Sequence, residues 1–190
     1  MNVAPADVLD FWFGAPPWSR RDVWFRKSDA FDAQVRRQFG AAVEEALAGA
    51  LPAAWQVSPA GRFAQVLMLD QFTRNIFRGS ARAFAGDARA LHLALALLDE
   101  HADRAMVPLQ RWFLYLPLEH AEDQALQDRS VALFTALAAQ EPELADALDY
   151  AERHRDVIRR FGRFPHRNAA LERNSTAEEL AFLQQPGSGF

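Results

Sequence analysis

The chain has 190 residues, half of them hydrophobic and 12% aromatic, which is enough material for one packed core. Its net charge of −4 argues against a general nucleic-acid binder, because phosphate contacts need an excess of Lys and Arg. It has no cysteine, so disulfides and thiolate metal sites are excluded.

The start, Met1–Phe13, lacks the basic flank and apolar run of a signal peptide. No window reaches the roughly 18 apolar residues of a membrane span. A soluble, cytoplasmic protein without a membrane partner is expected. Of the 21 basic residues, every one except Lys27 is arginine. Arginine forks match carboxylates and phosphates, although a GC-rich genome produces the same bias.

In chain order, Pro5–Phe13 reads as a short helix stopped by Gly14. Trp12, Phe13, Trp18, Trp24 and Phe25 form an aromatic cluster, read as core, with a ligand-pocket wall as the alternative. Ser28 can cap a helix to about Ala48, striped by Phe31, Val35, Phe39, Val43 and Leu47. Gly49–Val57 reads as a connection. Ser58 and Pro59 open a helix through Gln71 or beyond, apolar on every side and therefore expected at the centre of the fold.

Gly86–Asp87 starts a helix to about Leu98, with Ala88, Leu91, Leu95 and Leu98 as its stripe. Pro108 opens another, which Pro117 breaks or kinks. Leu118–Ala139 reads as helical, with Leu126, Leu133 and Leu137 inward. Pro142 starts a helix capped by Gly162 and striped by Leu144, Leu148, Ala151, Ile158 and Phe161. A polar loop, Arg163–Asn174, precedes a capping box at Ser175–Glu178 and a last helix. The tail from Pro186 to Phe190 should fray. No strand alternation and no clean repeat is present, so the expectation is a single all-α domain over 1–190 with eight or nine helices.

Two stretches carry the polar residues of interest. In Asp70–Arg78 (D-Q-F-T-R-N-I-F-R), Asp70 and Arg74 are spaced to pair on one helix face. Gln71–Asn75 forms a second such pair, and Arg78 extends the first by a turn. The competing reading is a buried structural ion pair. In Phe161–Asn168 (F-G-R-F-P-H-R-N), Pro165 partly fixes the backbone that presents Arg163, His166, Arg167 and Asn168. Arg163 also suits a helix C-terminus on electrostatic grounds alone.

Glu119 and His120 complete the candidate set, with Glu119 and Glu122 as counter-charges for the arginines. Read as one helix, Glu119/Glu122 and His120/Asp123 point about 100° apart, and the chain has no Glu-x-x-His motif. No metal site and no cofactor is therefore expected. His154, on an apolar face, reads as a hydrogen-bonded core residue. Seven arginines between Arg153 and Arg173 interleave with Phe161 and Phe164, but overall acidity opposes a nucleic-acid partner. No nucleophile elbow, P-loop or dinucleotide loop is present.

F-W-F-G at Phe11–Gly14, the Asp70–Arg78 stretch, P-L-E-H-A-E-D at Pro117–Asp123 and the Phe161–Asn168 stretch together resemble one bacterial family, domain of unknown function 924. The resemblance runs from about Val8 to Leu183. It implies an α-α superhelix like tetratricopeptide repeats, and it implies no activity. The chain departs from the pattern at Thr73, where Pro is expected, and at Glu172, where Gly is expected. Thr73 should let its helix run straighter.

Two functions are consistent with these residues. One is a module that binds a small anionic ligand or a peptide carboxylate through Asp70, Arg74, Asn75, Arg78, Glu119, His120, Arg163, His166, Arg167 and Asn168. The other is an enzyme on a small anionic substrate, with His166 or Glu119 as acid or base. Asp70, Arg74 and Arg78 are expected to face Arg163, His166, Arg167 and Asn168 across one cavity.

Overall fold

A computed structural model describes residues 3–189. Among the described residues there are nine α-helices and no strand, so the fold is all-α. No helix there is long and apolar enough to cross a membrane. The chain divides into two compact units, Met1–Arg78 with Arg82–Pro117, and Gly79–Ala81 with Leu118–Phe190.

In the first unit, α1 (Pro5–Phe13) ends at Gly14, whose N–H bonds to the Asp10 carbonyl. Arg21 reaches back to the Phe11 and Trp12 carbonyls at 2.6 and 2.7 Å, satisfying acceptors left over at the end of α1. α2 (Asp29–Ala48) is capped by the Ser28 hydroxyl and closed by Gly49 in the left-handed region at φ 72°. Phe31, Val35, Phe39 and Val43 are buried along it as the stripe predicts, joined by Ala42 and Ala46. The segment read as a plain connection contains a one-turn helix, α3 (Ala54–Val57), which buries Trp55.

The helix that opens at Ser58 is the centre of this unit. Pro59–Leu67, a π segment Met68–Phe72 and Thr73–Ile76 run on as one helix, α4. Its residues from Phe63 to Thr73 are all buried, which is what an all-round apolar surface implies. At Thr73, where Pro is expected, the helix leaves the π segment. The Thr73 N–H bonds to the Met68 carbonyl, one residue further back than in an α-helix, and its hydroxyl donates to the Leu69 carbonyl at 2.8 Å. Of the expected aromatic cluster, Trp12, Phe13 and Trp24 are core, while Trp18 and Phe25 are exposed; Trp12 packs on Trp24, Phe31, Phe72 and Phe113 with ring centroids 5.3–6.2 Å apart.

α5 (Asp87–Asp99) buries Ala90, Leu93, Ala94, Leu97 and Leu98. Ala88, placed in its stripe by the sequence, is exposed. Leu and Ala occupy two adjacent faces of this helix, and packing against α4 selects the one that runs through Ala90 and Ala94. α6 (Pro108–Glu119) keeps Pro117 inside it and ends two residues later.

In the second unit the helix expected from Leu118 to Ala139 is interrupted. α6 stops at Glu119, and α7 (Gln124–Gln140) starts afresh with the Asp123 side chain accepting from the Leu126 N–H. Buried Gln127 stabilises the break by donating to the Glu119 and Ala121 carbonyls at 2.6 and 2.8 Å. The inward face of α7 is Gln127, Ser130, Val131, Phe134 and Leu137, while Leu126 and Leu133 lie at its margins.

A 3₁₀ turn, Pro142–Leu144, leads into α8 (Ala145–Phe161), which packs along α7 and ends at Gly162 with φ 69°. Val157, Ile158 and Phe164 form a core that Phe161 and Phe182 flank. The capping box of α9 (Ala177–Leu183) lies one residue later than expected, between Thr176 and Glu179. Ser175 instead accepts from the Asn168 amide at 3.0 Å. Near the end of the chain, the Ser188 hydroxyl donates to the Leu183 carbonyl. Phe190, the last residue of the tail expected to fray, lies outside the described residues.

Candidate functional site

The two stretches expected to share a cavity fall in different units, and Arg74, Arg78 and Arg163 each meet carboxylates of their own unit. In the first, Arg74 lies 3.3 Å from Asp70, as the i, i+4 spacing predicts. It also forms a two-pronged pair with Asp87 at 2.8 and 3.0 Å. Burial works against its charge, but Asp70 and Asp87 outweigh that and raise its pKa.

The second expected pair, Gln71–Asn75, is not made. Gln71 donates to Asp70 at 2.6 Å, while Asn75 donates to Asp32 at 2.7 Å. Arg78 pairs with Asp32 at 2.9 and 3.1 Å and so does not extend the Asp70–Arg74 line. Asp32 and Asp87 lie in the first turns of α2 and α5. A helix N-terminus explains each of them locally, so nothing in the sequence marked them as partners of this stretch.

In the second unit, Arg163 and Asn168 tie down the loop. Glu179 accepts from Arg163 at 2.6 and 2.8 Å, from the Asn168 amide at 3.3 Å and from the Thr176 N–H at 2.7 Å. Glu122 takes Arg173 at 2.7 and 3.0 Å and the Phe164 N–H at 2.8 Å. Arg173 also donates to Asn168 at 2.9 Å. Glu122 thus serves as the counter-charge the sequence suggests, but for Arg173. Glu172, where glycine is expected, adopts φ 54°, the left-handed conformation that glycine takes at least cost.

The Arg163 guanidinium, followed by the Thr176 N–H, pulls the Glu179 carboxyl down to about 2. A carboxyl lowered on folding stabilises the fold above its unfolded pKa of 4.5, and that contribution is lost as pH falls toward 2. Acid should therefore loosen α9 and the Arg163–Asn174 loop over this window. Amide exchange between pH 5 and pH 2 reads this, and Glu179→Gln should flatten the pH dependence there. Unchanged pH dependence in Glu179→Gln would contradict the assignment.

The remaining residues of the Phe161–Asn168 stretch gather elsewhere in the second unit. His154 is buried on α8, with Nδ1 2.8 Å from the Tyr150 carbonyl and 3.1 Å from Glu119 Oε1. Two acceptors converge on Nδ1, so that nitrogen carries the proton of the neutral ring. Burial, then the neighbouring His120, lower the His154 pKa well below the usual histidine value, and His166 and Arg167 add to the effect. The His120 ring lies 6.1 Å from that of His154. Phe164 forms the floor, with His154 5.5 Å away, His166 5.7 Å away and the Arg167 guanidinium 4.5 Å above its ring.

The expected core role of His154 is therefore only part of its setting. Glu119, His120, His166 and Arg167 come together around it. Asp70, Arg74, Asn75, Arg78, Arg163 and Asn168 have the separate partners described above.

Residues 8–187 match the family described as bacterial protein of unknown function (DUF924). The chain belongs to this family. It is also similar to a solved protein of unknown function from Agrobacterium tumefaciens, at 40% identity over 95% of this chain and 96% of that one, with a TM-score of 0.83. No curated protein matches it. Both the family and this neighbour are described as of unknown function.

His154 is the member of the cluster that sequence reasoning left out of the site. Its signal was available, since it is the one polar residue on the buried face of α8. A cleft of about 610 Å³ in the first unit, lined by Asp7, Arg37, Glu45 and Trp55 among others, contains none of the predicted site residues.

Proposed function

We propose that the second unit binds a small anionic ligand, a phosphate or a carboxylate, at Glu119, His120, His154, His166 and Arg167. The observation that carries this is the composition of the cluster: His120, His166 and Arg167 gather around His154 and the Phe164 ring, with Glu119 as the one carboxylate, 3.1 Å from His154. An anion accepts from imidazole and guanidinium N–H groups alike, and charge-assisted bonds of this kind are the strong ones. Asp70, Arg74 and Arg78, and likewise Arg163 and Asn168, are structural in this reading.

Calorimetric titration with inorganic phosphate and with succinate tests it. Arg167→Gln and His166→Ala should each weaken binding about tenfold, the loss of roughly one charge-assisted bond. Arg78→Gln should leave it unchanged. Absence of binding in the wild type, or wild-type affinity in both Arg167→Gln and His166→Ala, would overturn the proposal.

A second reading is favoured by the 3.1 Å approach of Glu119 to His154. It is an enzyme acting on a small anionic substrate, in which Glu119 orients an imidazole that moves a proton. Turnover of a bound metabolite that disappears in Glu119→Gln while binding persists would select this reading over simple binding.

A further inference from the structure

We propose that Glu119, His120 and His154 form a site for a divalent transition-metal ion, of which Zn²⁺ and Fe²⁺ are the chemical types. One carboxylate oxygen of Glu119 and one nitrogen of each imidazole all lie within 4.8 Å of one another. Two histidines and one carboxylate are the donor set of catalytic zinc sites and of the non-haem iron triad. Three protein donors leave coordination positions open, so the site is of the kind that takes a further ligand.

The break after α6 makes the convergence possible. On one uninterrupted helix, Glu119 and His120 would project about 100° apart. Because α6 ends at Glu119, His120 lies in the turn that follows, and both residues meet His154 from α8. Glu119 and His154 are buried and His120 is half-buried, which leaves the ion a side of approach. The Tyr150 carbonyl, 2.8 Å from His154 Nδ1, is the kind of backbone partner that orients a ligating imidazole. This inference does not rest on the anion proposal, and the two are compatible, since an anion can occupy an open position on the metal.

The test uses the full-length, tag-free chain after EDTA treatment and dialysis. Cobalt(II) is titrated in while its visible d–d absorption is followed, and Zn²⁺ is then used to displace it. The expected result is one saturable equivalent of Co²⁺, displaced by Zn²⁺. His120→Ala and Glu119→Gln should each bind Co²⁺ at least about 100-fold more weakly, because losing a ligand costs no less than losing its support. Far-UV circular dichroism checks that each variant is folded, and His92→Ala, an exposed histidine of α5, should bind as the wild type does. Phosphate titration of the EDTA-treated, metal-free protein reads the anion site alone, so the metal and anion proposals fail separately. Absence of a saturable equivalent in the wild type, or wild-type affinity in folded His120→Ala, would overturn the site.

Discussion

Gly86→Ala is expected to destabilise the first unit by about 3 kcal/mol, at the upper end of what overpacking costs. A Cβ at this position would lie 2.2 Å from the Leu69 carbonyl oxygen and 2.9 Å from the Leu69 Cα and carbonyl carbon. These are backbone atoms in the buried π segment of α4, and they cannot swing aside as a side-chain end would. Gly86 has φ −89°, which any residue adopts, so the cost is contact and not conformation. The same carbonyl already accepts from the Thr73 hydroxyl, so a shift of Leu69 would disturb that bond as well. Gly40→Ala is the matched control. It lies within α2, where a Cβ meets nothing nearer than Arg36 Cγ at 3.9 Å, and it should gain about 0.5–1 kcal/mol. Urea denaturation of both variants measures the difference, and equal midpoints would contradict this account of the α4 packing.

Arg74→Met should cost about 3 kcal/mol, near the lower end for breaking a buried ion pair. The substitution keeps much of the side-chain length but takes the guanidinium from Asp70 and Asp87 together. Asp70 is 1% exposed, so its charge cannot turn to water. Asp87, at the start of α5, keeps the favourable end of that helix and softens the loss. Asp70→Asn should cost less, because Arg74 retains its two-pronged pair with Asp87. The double variant Asp70→Asn, Arg74→Met should cost less than the sum of the two, since it removes both partners of one pair. Strict additivity in the urea midpoints would show that the pair is not coupled.

Helix-level structure was largely readable from the sequence because its signals are local. Ser28, Ser58, Gly14 and Gly162 cap the helices they were read to cap. Errors arose where two local solutions were close in energy. Ser175 and Thr176 are both good N-caps with a glutamate three residues on, and Glu179 settled the choice because it also receives Arg163 and Asn168. The run after Leu118 has helical composition throughout, but the Asp123 cap and the Gln127 side chain terminate one helix and begin another. That misreading hid the cluster. It set Glu119 and His120 at a helical angle to each other, and it left no reason to bring in His154 from a different helix. Asp32 and Asp87 were missed for a related reason, since their partners lie 43 to 46 and 13 residues away along the chain.

In the proposed reading the functional site is the Glu119, His120, His154, His166 and Arg167 cluster, and Arg74, Arg78 and Arg163 are structural. Crystals grown with selenate test this most directly, because the selenium atom of the anion reveals itself by anomalous scattering. The account predicts an anomalous peak within hydrogen-bond reach of Arg167 and His166, and none at Arg74, Arg78 or Arg163. A peak at Arg74, Arg78 or Arg163 with none at Arg167 would contradict it.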